Sequence, residues 1–216
     1  MEVISVVDAV KIFKKLRITA QSLFKRKLNT ELHIVDSQID KSSSVDWNNA
    51  ISICTWKLRY LTADMIAGSL GHELGHVILR AKQIRSPYDN IYGEIFENYC
   101  SNYEFMTKKL ESAFNGALEQ NRSWAVELAC DHISSLICSN ASFDPLGYAL
   151  SLYKRADLGV LNLNRATLNH PDGKFRIAAQ KAFVKAGMPA DSKFWKFCVN
   201  PNDWHEISKL AEPLIK

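Results

Sequence analysis

His72-Glu73-Leu74-Gly75-His76 is the stretch from which the rest of this chain is read. It sits late in an apolar-periodic segment that predicts a helix from about Ala63 to about Lys82, with Thr62 as its cap. Residues four apart on a helix lie one above the other, so His72 and His76 can direct both imidazoles at one metal ion. Glu73 projects to the side of that face, within reach of a water on the metal. Zinc in a hydrolytic site takes three protein ligands and keeps one position open, and His-Glu-x-x-His supplies two ligands and a base in one helical turn. Two ordinary helix histidines beside a solvated Glu would spell the same five residues, so context has to decide. Gly75, between the histidines, leaves room for a second backbone.

A third ligand must come from elsewhere. Ser123 looks like the cap of a helix running through Glu127 and Asp131 to about Cys138. Glu127 and Asp131 are also four apart and share a face. A Glu completing the site and an Asp accepting the second N–H of a ligating imidazole would explain the pair. A solvated helix face has the same spacing, although the apolar residues around Glu127 fit that role less well. Cys130 and His132 point away from the face of Asp131.

Outward from these helices, the first thirty residues place Val6, Val10, Phe13, Leu16, Leu23, Phe24 and Leu28 at helical spacing, with lysines and arginines between them. This amphipathic helix is expected to pack its apolar stripe on the domain; peripheral membrane contact is the weaker alternative. Glu31–Asp36 reads as a strand, Asp40–Ser44 as a turn or loop, and Ile51, Ile53, Thr55 and Trp56 mark a second β-like segment. Residues 84–103 are irregular and rich in acids and aromatics, fitting core packing or a lid. Helices are expected from about Glu104 to Glu119, from Asp144-Pro145 to about Arg155, and from Phe175 to Ala186, with Trp195 and Trp204 buried in the tail.

The 216 residues suffice for one large domain, and no linker forces a boundary: residues 1–30 form the N-terminal helix, 31–186 the core and 187–216 an extension. Apolar content of 47% and charged content of 23% are those of a globular chain. A net charge of +4 spread along the chain gives no reason to expect a nucleic-acid partner. No secretory leader and no run long enough to cross a bilayer is recognisable. The five scattered cysteines, with no CxxC pair, read as reduced thiols of a cytoplasmic protein.

Taken in order, three separated motifs resemble the gluzincin metallopeptidases of the HtpX and CAAX prenyl protease type, including their small members without transmembrane helices. They are His72-Glu73-Leu74-Gly75-His76, Glu127-Leu128-Ala129-Cys130-Asp131, and Asn169-His170-Pro171 with Arg176 six positions after the His. Ser139–Pro145 resembles the turn after the family's third-ligand helix, and Asn49-Ala50 the start of its edge strand, so the likeness spans about residues 31–186. The resemblance implies an α+β, mostly helical, zincin-like metallopeptidase domain with a small antiparallel sheet packed on the active-site helix. It implies one zinc ion per chain held by His72, His76 and Glu127, with Glu73 as general base and Asp131 orienting His72. His170 would stabilise the oxyanion or act as a displaceable fourth ligand, and Arg176 would brace the carboxylates or the transition state. The stretch from Ala50 to Thr62 is short for the family's edge-strand hairpin.

Two function classes follow. The first is a zinc endopeptidase acting on unfolded or flexible polypeptide. The second is a zinc-binding regulatory module with a latent site and a protein partner. Retention of Glu73 favours the first, because a purely structural site needs no base.

Overall fold

The computed structural model describes residues 3–25, 27–37, 43–46, 48–80, 118–165 and 170–189. These residues form a mixed α+β arrangement of six helices and three strands. The expected aromatic stretch 84–103, most of the helix from Glu104 to Glu119, and the tail with Trp195 and Trp204 lie outside them.

Helix α1 (Val6–Phe24) begins where the Ser5 hydroxyl accepts the Asp8 N–H, and ends at Lys25 in a left-handed conformation. Its buried face is Ala9, Ile12, Phe13, Leu16, Ala20 and Phe24, while Val6 and Val7 are exposed. The apolar stripe thus packs inward, and the Arg17 guanidinium donates to the Thr30 carbonyl behind it.

Strands β1 (Leu32–Val35), β2 (Ser43–Val45) and β3 (Ile51–Cys54) follow. The sheet order is β1-β3-β2, with β1 parallel and β2 antiparallel to β3. The expected antiparallel sheet is therefore mixed. The strand that Asn49-Ala50 begins lies at its centre rather than its edge. Asn49 adopts φ 63°, and its carbonyl accepts the Thr30 hydroxyl at 2.5 Å, which turns the chain into β3 between its two neighbours. Ser43 and Ser44, expected as part of a turn or loop, instead form a strand with Val45, pairing with Ile53, Ser52 and Ile51 through the backbone. Thr55 and Trp56, expected in the strand, open helix α2 (Thr55–Tyr60) instead. The Lys57 ammonium of α2 donates to the Ser43 hydroxyl at 2.7 Å, tying the helix to the edge strand.

Helix α3 (Ala63–Arg80) is the centre of the molecule, contacting β2, β3, α1 and the two helices that follow. Helix α4 (Leu118–Asn140) is already formed at Leu118, so Ser123 lies within it and is not its cap. Close packing of α3 on α4 depends on Gly75: a Cβ there would come 2.9 Å from the Cα of Cys130. Helix α5 (Gly147–Asp157) starts two residues after Pro145, with the Asp144 carboxylate accepting the Leu146 N–H. Helix α6 (Gly173–Lys185) is capped by Asp172, whose carboxylate accepts the Phe175 N–H at 2.9 Å. The main core gathers Phe13 and Leu16, Ile51 and Ile53, Leu70 and Leu74, Leu128 and Ile133, and Phe183. No helix among the described residues is long and apolar enough to cross a membrane.

Candidate metal centre

α3 and α4 face each other with their polar i, i+4 pairs in register. His72 Nε2 and His76 Nε2 lie 3.2 Å apart, and the Glu127 carboxylate oxygens lie 3.3 Å from each. His72, His76 and Glu127 thus form a group that can hold a metal ion. The spacing itself is informative. Ligand atoms about 2.0–2.1 Å from a tetrahedral ion stand about 3.3 Å from each other. The two imidazole nitrogens stand at about that distance from each other, and each stands at about that distance from one oxygen of the Glu127 carboxylate.

The surroundings favour a cation at the same point. His72 Nδ1 donates to Asp131 Oδ1 at 2.8 Å, so when the ring is neutral its bare nitrogen is Nε2, which faces His76 and Glu127. Glu127 Oε2 is buried and accepts no hydrogen bond of good geometry among the described residues. Yet Arg176 Nη2, His72 Nε2 and His170 Nε2 lie 3.2, 3.3 and 3.4 Å from it. A positive ion between the two imidazole nitrogens and the carboxylate would satisfy the acceptors of all three at once.

Asp131 and Arg176 anchor this arrangement. The guanidinium grips the carboxylate with Nε to Oδ2 at 2.9 Å and Nη2 to Oδ1 at 2.7 Å. Its position follows from the Asp172 cap, which starts α6 so that Arg176 falls in the first turn. Burial would raise the Asp131 carboxyl, but the guanidinium beside it holds it below the usual range. Burial opposes charge on Glu127 as well, yet the facing His72 and His76 rings, with the Arg176 charge, keep it well below the usual carboxylate range. Burial disfavours charge on His72 too, but the Asp131 and Glu127 carboxylates raise it to about 9.

Glu73 is buried one residue along α3 from His72. His170, half-exposed just ahead of α6, reaches the Glu127 carboxylate, and burial lowers its pKa from the ordinary value against the pull of Glu127. Asn169 lies outside the described residues. Cys130 faces Gly75, and His132 stacks on Phe183 at 4.4 Å, so neither enters the cluster. Cys54, Cys130 and Cys138 are free, buried thiols, and burial pushes Cys138 up to about 12.

Two members of the cluster are missed by the sequence reading. Tyr148 of α5 stacks on the His72 ring, centroids 4.4 Å apart and planes 3° from parallel, and its hydroxyl accepts from Arg176 Nη2 at 3.1 Å. Gln180, one turn after Arg176, donates to the Asp131 carbonyl at 3.0 Å and to the Ser135 hydroxyl at 2.8 Å. Only Gln180 had a usable hint, its i+4 spacing from Arg176 on a helix. The chain matches no family model, no curated protein and no solved structure.

Proposed function

We propose that the chain is a zinc-dependent endopeptidase with a zincin-like fold of gluzincin type, hydrolysing peptide bonds in unfolded or flexible polypeptide. The observation that carries this reading is the 3.2–3.3 Å triangle of His72, His76 and Glu127, with the buried carboxylate of Glu73 on the same helical turn. Zinc held by those three residues would polarise a substrate carbonyl and lower the pKa of a water there to about 7. Glu73 takes the proton of the attacking water and passes it to the leaving amine. Asp131 keeps His72 in the tautomer whose Nε2 is bare. Arg176 keeps Asp131 ionised, and it assists His72 and His76 in keeping Glu127 so. His170 donates a hydrogen bond to the oxygen on which negative charge develops. An extended substrate would add to the sheet along β2, the three-residue edge strand that contacts α3. The buried free thiols support a reducing compartment such as the cytoplasm.

The test is zinc content together with cleavage of an unfolded protein such as casein. Zinc near one per chain, with cleavage abolished by Glu73→Gln, is the expected result. Purified protein that takes up no zinc would sink the reading.

One observation favours a second reading, a zinc-binding regulatory module whose peptidase site is latent. His170 Nε2 stands 3.4 Å from Glu127 Oε2, close enough to close the coordination sphere. On that reading wild type binds zinc but cleaves nothing, and His170→Ala gains activity.

A further inference from the structure

We propose that Tyr148 is a positioning residue of the metal centre: its ring holds the His72 imidazole in the plane that aims Nε2 at His76 and Glu127. This rests on the metal-binding part of the reading above and not on proteolysis. The Nδ1–Asp131 bond fixes one edge of the His72 ring but leaves it able to rock about that bond. A parallel aromatic ring at 4.4 Å and 3° closes the space on one face and removes that motion. The hydroxyl of Tyr148 accepts from Arg176 Nη2, the same nitrogen that donates to Asp131 Oδ1. One guanidinium therefore sets both contacts of His72, the edge through Asp131 and the face through Tyr148.

The packing of α5 shows how the ring reaches that place. Gly68 stands one turn before His72 on α3. A Cβ on Gly68 would overlap the backbone of Gly147 and Tyr148, with the Tyr148 Cα at 2.7 Å. A Cβ on Gly147 would overlap the Asp64 carbonyl, whose carbon would lie 3.0 Å away. The two missing side chains let the start of α5 rest against α3, and Tyr148, second residue of α5, then lands on the next turn of α3. Ser69 and Ser151 continue the contact through their hydroxyls at 3.1 Å. With its hydroxyl buried and engaged by Arg176, Tyr148 serves the ring's orientation and not proton transfer.

The experiment titrates Co(II) and Zn(II) into wild type, Tyr148→Phe, Tyr148→Leu and Leu152→Ala, with a competing chelator for affinity and the visible Co(II) absorption bands for geometry. Leu152 lies on the same helix and in the same apolar cluster, so its truncation loosens α5 while leaving the ring on His72. Expected is a roughly tenfold loss of affinity and altered Co(II) bands for Tyr148→Leu, with Tyr148→Phe within about threefold of wild type and its bands unchanged. Leu152→Ala should keep the wild-type bands. Wild-type affinity in Tyr148→Leu would overturn the proposal. So would a Phe variant as impaired as the Leu variant, or altered bands in Leu152→Ala. Wild type that takes up neither ion overturns the metal centre itself, whereas absent peptidase activity leaves the result standing.

Discussion

Arg176 and Asp131 lie 2.7 Å apart where α6 meets α4, and Lys154 and Asp157 lie 2.8 Å apart near the end of α5. The separations are nearly equal and the surroundings opposite. The first pair keeps 5% and 1% of its side-chain surface, the second 30% and 57%. Water and salt screen the second pair and reduce its worth to about 0.5 kcal/mol or less. The first pair has given up its water, so each charge depends on the other and on fixed donors. What it supplies is orientation more than net stability, because well-packed apolar residues can replace such a pair at little loss. A gripped Asp131 cannot rotate, and His72 is held with it.

The sharpest way to break this contrast is Arg176→Met. It strands the buried Asp131 carboxylate and should cost about 3–5 kcal/mol in urea unfolding. Adding Asp131→Leu in the same chain should recover a large part of that loss, because the stranded Asp131 charge is removed with its partner. A loss below about 1 kcal/mol for the single variant would mean that water reaches the pair and that the contrast is false.

Asp131→Asn comes next. It keeps the shape but removes the charge behind His72 Nδ1, and should weaken zinc binding about 10- to 100-fold in a chelator competition. Asp157→Asn makes the same chemical change on α5 and should leave zinc affinity unchanged. Equal effects of the two would show that overall charge, and not orientation, governs the metal.

The two regions also differ in how far they are legible in the sequence. His72 and His76, and Glu127 and Asp131, can be found because helical spacing puts each pair on one face whatever the tertiary structure. Arg176 is legible only through a resemblance, since nothing local says that α6 will end against Asp131. Tyr148 is not legible at all: it reaches His72 only because Gly68 and Gly147 let two backbones close up, a fact of packing without a spacing rule. The sheet fails for a different reason. Strand β2 is Ser-Ser-Val and is made a strand by backbone pairing with β3, which a side-chain pattern cannot reveal. Thr55 and Trp56 are strand formers by propensity and helical in place. That the chain is already helical at Leu118 shows the same limit, because Ser123 is a good cap that the surrounding chain overrides.

The third prediction concerns protons. In the metal-free protein the His72 pKa stands raised from 6.5 to about 9. A raised histidine contributes stability that is complete below its unfolded pKa near 6.5 and is lost as pH climbs through about 9. Metal needs the neutral ring, so the two trends run in opposite directions. Apparent zinc affinity should rise with pH by up to about tenfold per unit below 9 and then flatten, while metal-free stability declines over the same window. Calorimetry in buffers of different ionisation enthalpy should record proton release on zinc binding at neutral pH. Binding with no proton released would mean that His72 is already neutral there.

The smallest expected effect lies at the exposed pair. Lys154→Ala should change stability by no more than about 0.5 kcal/mol, because the ammonium regains in water most of what it had at 2.8 Å from Asp157. Salt turns this near-zero result into a test. In about 1 M salt the Debye length falls to about 3 Å, and whatever the Lys154 pair contributes should fade. The cost of Arg176→Met should hardly move between low and high salt, because ions do not enter the space around Asp131. If salt relieves both variants alike, the guanidinium is exchanging with solvent, and the fixed orientation of His72 has to be sought in Tyr148 alone.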